Sequence, residues 1–144
     1  MKATLTQGAF SEKFRAMHPF AQTEEIAALQ ETVEEIRELK REKNTVILSH
    51  FYMSPELQVP HTDGGIADFV GDSLGLSVAA KSVEADNIIF CGVKFMAETA
   101  KILNPAKQVL LPSFEAGCSL AESITGADVR KLKAQYPGVP VVAY

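Results

Sequence analysis

Three residues with reactive side chains stand near the carboxyl ends of apolar runs in this sequence. His50 and Tyr52 follow the run Thr45–Ser49, and Cys118 follows a later run. A histidine titrates near neutral pH, a tyrosine hydroxyl can move a proton, and a cysteine thiolate can bind a metal or act as a nucleophile. Residues two apart share one side of an extended strand. His50 and Tyr52 are therefore either an acid–base or substrate-binding pair, or a structural histidine and a core tyrosine.

Cys118 precedes the capping-box pattern Ser119-Leu-Ala-Glu122, which predicts a short helix over residues 119–124. A thiol just before a helix N-terminus is favoured as thiolate, the form that binds iron. The alternative is a small buried residue, which is the interpretation we favour for Cys91 inside an apolar run. The chain has neither a CxxC motif nor a zinc-ligand spacing, so further ligands of a metal at Cys118 would lie outside it.

The segment Gly71-Asp72-Ser73 offers a second kind of site. Asp72 or Ser73 could cap a helix whose first N–H groups bind a carboxylate or a phosphate. The alternative is a capping turn without a ligand. Neither GxGxxG nor GxxxxGK occurs in the sequence, so nucleotide binding is not favoured.

The elements that would position these residues alternate between two patterns. Apolar, β-branched runs predict strands over residues 45–52, 87–93, 108–111 and 139–144. Spacings of three and four predict helices over residues 23–43, 66–83, 95–103 and 125–136. This alternation predicts an α/β fold, a three-layer α/β/α sandwich around a four-stranded parallel sheet. Ligands of such sheets bind beyond the carboxyl ends of the strands, where the candidate residues stand.

Composition narrows the class of protein. Apolar residues make up 47% and charged residues 22% of the 144, and the net charge is −4 without a basic stripe, which argues against nucleic-acid binding. The sequence has no run of 18 apolar residues that could span a membrane, and residues 1–20 lack the apolar core of a secretory signal. We therefore expect a cytoplasmic protein. We expect residues 1–22 to be a poorly ordered extension, with a short helix as the alternative. The chain stops inside a predicted strand, which suggests a fragment.

Several segments together resemble the quinolinate synthases, the iron–sulfur enzymes of NAD biosynthesis. The resemblance extends from about Lys40 to the end, in the same order and at similar separations. The matching segments are Leu48-Ser-His-Phe-Tyr52 with Pro55-Glu-Leu-Gln58, Ile66-Ala-Asp-Phe-Val-Gly-Asp-Ser-Leu74, Gly92-Val-Lys-Phe-Met-Ala-Glu-Thr-Ala-Lys-Ile-Leu-Asn-Pro105, Glu115-Ala-Gly-Cys-Ser-Leu120 and Pro140-Val-Val-Ala-Tyr144.

This resemblance implies three similar α/β domains that share one 4Fe-4S cluster, with one cysteine ligand from each domain and Cys118 as the first. The implied reaction condenses iminoaspartate with dihydroxyacetone phosphate to quinolinate, with the fourth iron as Lewis acid. It also implies a functional link to L-aspartate oxidase. By the same match, His50 and Ser73 resemble residues that bind iminoaspartate, and Tyr52 resembles a tyrosine proposed for proton transfer. Tyr144 resembles the first residue of a substrate-binding Tyr-x-Asn motif.

The chain also departs from the family pattern. Residues 59–65 look longer than in compact members, and the second and third cluster cysteines are absent. We therefore expect residues 23–144 to be the first α/β domain, truncated at the end of a strand, and inactive alone. Two other functions fit the residues. One is a non-catalytic domain that binds a small molecule, and the other is a thiol enzyme with Cys118 as nucleophile and His50 as base.

Overall fold

The computed structural model describes residues 4–142 of the chain, with side chains from residue 8 onward. It contains helices and strands in the alternating order that the sequence predicts. The elements are α1 (Thr4–Met17), α2 (Thr23–Glu42), β1 (Thr45–His50), α3 (Pro55–Gln58), a 3₁₀ turn (His61–Asp63), β2 (Phe69–Gly71), α4 (Ser73–Ser82), β3 (Asn87–Cys91), α5 (Lys94–Leu103), β4 (Gln108–Leu110) and α6 (Gly126–Gln135).

The four strands form one parallel sheet in the order β2-β1-β3-β4, which confirms the predicted four-stranded parallel sheet. Neighbouring residues of a strand point to opposite faces, so β1 serves two cores. Leu48 packs with Phe90 and the helices α4 and α5 on one face. Ile47 packs with residues of α1 and α2, such as Phe14, on the other. Helices therefore cover both faces, which confirms the three-layer α/β/α class.

Strand β2 was not predicted, because residues 66–83 have a helical spacing of apolar residues. The structure divides this range at Asp72. Phe69 lies beside Leu48 of β1, and the Asp72 carboxylate accepts the N–H of Gly75 at 2.7 Å as the N-cap of α4. An N-cap residue is extended rather than helical. The helix therefore begins only at Ser73, and the residues before it are free to pair with β1.

The predicted strand over residues 139–144 is wrong for its described part. Residues 139–142 pair with no strand, and Val142 is 92% exposed. A strand needs a neighbour for its backbone hydrogen bonds, and the described residues offer none there. Helix α6 confirms the predicted helix over residues 125–136, and the Thr125 hydroxyl caps it by accepting the N–H of Asp128 at 3.2 Å. None of its side chains is buried.

Residues 4–17 form α1, in line with the helix that was the alternative interpretation of the N-terminal extension. Phe10 and Phe14 lie four residues apart on one face of this helix, and each is only 1% exposed. Their rings stack with centroids 5.7 Å apart, and they pack with Ile26 and Val33 of α2. Burial of two aromatic rings orders a helix that has little amphipathic pattern otherwise. In the described part of the chain, no helix is both long and apolar enough to cross a membrane.

Candidate functional site

The sheet order places a crevice at the carboxyl ends of β1 and β3. After β1 the chain forms β2 on one side of β1, and it then crosses over to form β3 on the other side. The direction of the strand order therefore changes between β1 and β3, which is the switch point of the sheet. Open parallel sheets bind their ligands outside such a switch point. Strand β1 ends there with His50 and β3 ends with Cys91, and β2 ends next to β1 with Gly71.

His50 is the best-placed candidate residue. Its side chain is only 5% exposed, and its Nδ1 accepts the backbone N–H of Tyr52 at 3.2 Å. In the neutral ring the proton then lies on Nε2, which can donate to a ligand oxygen. Burial lowers the pKa of His50 from its ordinary value, and the nearby Asp72 carboxylate works in the opposite direction. The residue is therefore favoured as a neutral hydrogen-bond donor at the crevice.

Tyr52 lies next to His50, although not by the predicted mechanism. The predicted strand over residues 45–52 ends at His50, and the chain then turns, with the N–H of Phe51 donating to the carbonyl of Gly71 at 3.2 Å. This turn places the Tyr52 ring edge-on to the imidazole, with centroids 4.7 Å apart. Tyr52 is 88% exposed, so its hydroxyl is open to solvent.

Ser73 opens helix α4 beside the same strand ends. Gly71 is the register partner of His50, and Asp72 and Ser73 are the two residues that follow it in the chain. Ser73 is half-buried and is the first residue of a helix of 10 residues. The capping role predicted for this segment belongs to Asp72. The first turn of α4 can offer N–H groups to an anion, although the Asp72 carboxylate occupies one of them.

Cys118 lies on the loop between β4 and α6, and its surroundings differ from the prediction. Residues 119–124 form turns, not a helix, with the N–H of Glu122 donating to the carbonyl of Cys118 at 2.9 Å. The predicted helix over residues 119–124 is therefore wrong, and the argument from a helix dipole does not apply. The thiol is half-buried beside a cleft of about 220 Å³. Its lining residues are Lys94, Phe95, Glu98, Cys118, Ala121 and Glu122.

Lys94 is the residue of this region that the sequence analysis missed. It is the first residue of α5, and its backbone N–H donates to the carbonyl of Ala116 at 2.9 Å, which ties the loop before Cys118 to the end of β3. Its ammonium group lies 3.9 Å from the Glu98 carboxylate. Lys94 comes three residues after Cys91, the last residue of β3. This position just past a strand end is the signal that could have identified it as a candidate site residue.

The structure thus places Tyr52 against His50, and Ser73 lies two residues after Gly71, the register partner of His50. The cleft beside Cys118 includes none of these three residues. Within residues 4–142, no three histidine, cysteine, aspartate or glutamate side chains form a group that could hold a metal ion. Cys118 can therefore supply one ligand but not a complete site. Cys91 is a buried packing residue, and burial raises the pKa of its thiol to about 11. The fifth candidate, Tyr144, lies outside the described residues.

Comparisons with known proteins agree on one family. The profile of the quinolinate synthetase A protein family matches residues 34–144. A quinolinate synthase of Agrobacterium fabrum is 57% identical over 115 residues, which cover 80% of this chain and 32% of that protein. Those of Caulobacter vibrioides and of a Sulfurihydrogenibium species are 56% and 53% identical, over 76% and 79% of this chain.

The chain spans about a third of the length of these relatives. The family match nevertheless covers most of the sequence, including the strand ends that carry His50, Ser73 and Cys118. The chain therefore belongs to the quinolinate synthetase A protein family.

Proposed function

We propose that this chain is one part of a quinolinate synthase, which condenses iminoaspartate with dihydroxyacetone phosphate to form quinolinate for NAD biosynthesis. The family match and an identity of 57% to a protein named quinolinate synthase support this proposal. The activity belongs to the longer protein, because the chain spans only 32% of that relative. A cytoplasmic location and a functional link to L-aspartate oxidase are part of the same proposal.

The observation that carries the proposal is the buried imidazole at the switch point of the sheet. His50 is fixed through Nδ1 by the backbone of Tyr52, so Nε2–H is available to a carboxylate oxygen of iminoaspartate. A hydrogen bond to a charged group in a buried site is stronger than one in water. In this proposal Ser73 binds a second carboxylate through its hydroxyl and the start of α4, and Tyr144 contributes to the same substrate site.

Tyr52 is proposed to move a proton during the reaction. Its ring contacts the imidazole edge, which holds the side chain over the ligand-binding crevice. Its hydroxyl is exposed in this chain and can exchange protons with solvent between turnovers. A positioned hydroxyl within reach of the substrate can act as a general acid or base.

Cys118 is proposed as one of the three cysteine ligands of a 4Fe-4S cluster, with the other two from the rest of the protein. The donor chemistry fits, since a half-exposed thiol on a loop that the backbone of Lys94 anchors can reach a shared cluster. The described residues offer it no second or third ligand. When bound, such a cluster supplies an iron with an open coordination position as a Lewis acid.

The two cysteines provide a matched test of this assignment. In the full-length protein, purified anaerobically, Cys118→Ala should abolish the iron–sulfur absorbance and most of the bound iron. Cys91→Ala should retain both, because Cys91 packs in the core with a thiol that burial keeps protonated at neutral pH. Full iron content in Cys118→Ala, with the protein folded, would refute the assignment.

A further inference from the structure

A basic cleft lies at the opposite end of the sheet from His50. Strand β1 begins there at Thr45, and the C-terminal turns of α2 and the segment before β2 form its walls. The cleft has a volume of about 330 Å³, within the range of pockets that take small ligands. Its lining includes Arg37, Lys40, Arg41, Asn44, His61 and Asp68.

Two of its cations are held in place by backbone carbonyls. Arg37 donates from Nη1 to the carbonyls of His61 and Gly65, at 3.1 and 3.0 Å. Lys40 donates from Nζ to the carbonyl of Ile66 at 2.6 Å. A cation that the fold already orders loses little rotamer freedom when a ligand binds, so a site of this kind is pre-organised.

The charges of the cleft do not balance. Among the described residues that line it, Asp68 alone carries a carboxylate, and that group is occupied. It lies 2.6 Å from Lys40 Nζ and accepts the N–H of Ile47 at 2.7 Å. Arg37 and Arg41 are left without a carboxylate partner in the cleft. The imidazole of His61, with Nδ1 3.7 Å from Asp68, adds a further hydrogen-bonding group.

We propose that this cleft binds the phosphate group of a small phosphorylated molecule. Two guanidinium groups can form paired hydrogen bonds to phosphate oxygens. The volume exceeds what a phosphate alone needs, which leaves space for an organic moiety. The site is separate from the residues of the proposed quinolinate synthase function, since it lies at the amino end of the strand that ends with His50.

The test uses the full chain and inorganic phosphate as the probe, in a low-salt buffer because salt screens exposed charges. Calorimetric titration compares wild type with Arg41→Gln, which removes an exposed guanidinium from the cleft, and with Arg130→Gln, which removes one from α6. We expect Arg41→Gln to weaken phosphate binding about tenfold, the loss of hydrogen bonds to a charged group, and Arg130→Gln to bind as wild type.

A titration with succinate separates phosphate from carboxylate recognition. Weaker binding of succinate than of phosphate would support the proposal. Three results would each overturn the proposal. They are equal phosphate affinities of the two arginine variants, no phosphate binding to wild type, and succinate binding as tight as phosphate binding. Because Arg41 is exposed, its substitution should leave the fold intact, and the far-ultraviolet circular dichroism of both variants should match that of wild type.

Discussion

At the scale of single residues, the imidazole of His50 combines burial at a strand end with one hydrogen bond from the backbone. The backbone N–H of Tyr52 occupies Nδ1, so Nε2 is the nitrogen that can act on a ligand. The desolvation of the buried ring outweighs the attraction of Asp72 and lowers the pKa of His50. These contacts keep the ring neutral and oriented in the absence of any ligand.

The lowered pKa of His50 has a direct effect on stability. The unfolded chain binds the proton more tightly than the folded chain, so the free energy of unfolding falls as the pH drops below the ordinary pKa of 6.5. We expect wild type to lose more stability than His50→Gln between about pH 7.5 and about pH 5. Urea denaturation at both pH values measures this difference, and the other titrating groups are common to both proteins. Equal losses would contradict the burial of a neutral ring.

The sequence predicted some contacts of the candidate site residues correctly and others not. The pairing of His50 with Tyr52 was predicted from a spacing of two in a strand, yet it arises from a turn that follows His50. The capping-box pattern after Cys118 predicted a helix, yet residues 119–124 form turns and the N–H of Glu122 donates to the carbonyl of Cys118. A pattern of four residues fixes a turn, whereas a helix also needs an apolar face to bury.

At the scale of elements, Asp72 joins the sheet to α4 and influences His50 as well. Its carboxylate caps α4, and its charge raises the pKa of His50 against the effect of burial. Asparagine caps a helix about as well as aspartate but carries no charge. The two functions of this side chain can therefore be separated by substitution.

We expect Asp72→Asn and Asp72→Ala to lower the pKa of His50, measured by NMR titration of the imidazole. Only Asp72→Ala should also lose the cap, at a cost of about 1 kcal/mol in the free energy of unfolding. An unchanged His50 pKa in both variants would show that the carboxylate does not act on the imidazole. If Asp72→Asn lost as much stability as Asp72→Ala, the charge of Asp72 rather than its capping hydrogen bond would stabilise α4.

Helix α1 contributes buried aromatic side chains to the core, a role that its sequence pattern did not predict. Phe14 is 1% exposed and Phe20, just after the helix, is 86% exposed. We expect Phe14→Ala to lower the free energy of unfolding by about 3–5 kcal/mol, and Phe20→Ala to change it by less than about 0.5 kcal/mol. Denaturant melts of the two variants make a matched comparison. A negligible effect of Phe14→Ala would mean that α1 does not belong to the core.

The success of the element predictions depended on periodicity and on tertiary partners. Helices α2, α5 and α6 have a clear helical spacing of apolar residues and were predicted within a few residues of their observed bounds. Strand β2 has three residues within a range of helical spacing, and its identity depends on pairing with β1. Residues 139–142 have the composition of a buried strand but no described neighbour to pair with. Local sequence specifies periodicity, whereas the presence of a partner decides between strand and loop.

At the scale of the whole molecule, the chain has one well-packed part and one exposed part. The two cores lie between α1 and β4. Helix α6 and residues 139–142 bury no side chain. The proposed site divides in the same way, because His50, Tyr52 and Ser73 belong to the packed part and Cys118 lies on the loop that leaves it. This arrangement supports the proposal that the chain supplies one part of a site that other domains complete.

The most direct test of this account measures quinolinate formation from iminoaspartate and dihydroxyacetone phosphate by the anaerobically purified full-length protein. Two variants, His50→Gln and His18→Gln, each remove one imidazole, and the ring of His18 lies edge-on to that of Phe14 of α1. We predict that His50→Gln lowers kcat/KM for iminoaspartate by about 10- to 100-fold, the loss of a hydrogen bond to a charged group, whereas His18→Gln stays close to wild type. Wild-type kinetics in a folded His50→Gln variant would contradict the central claim that His50 binds the substrate.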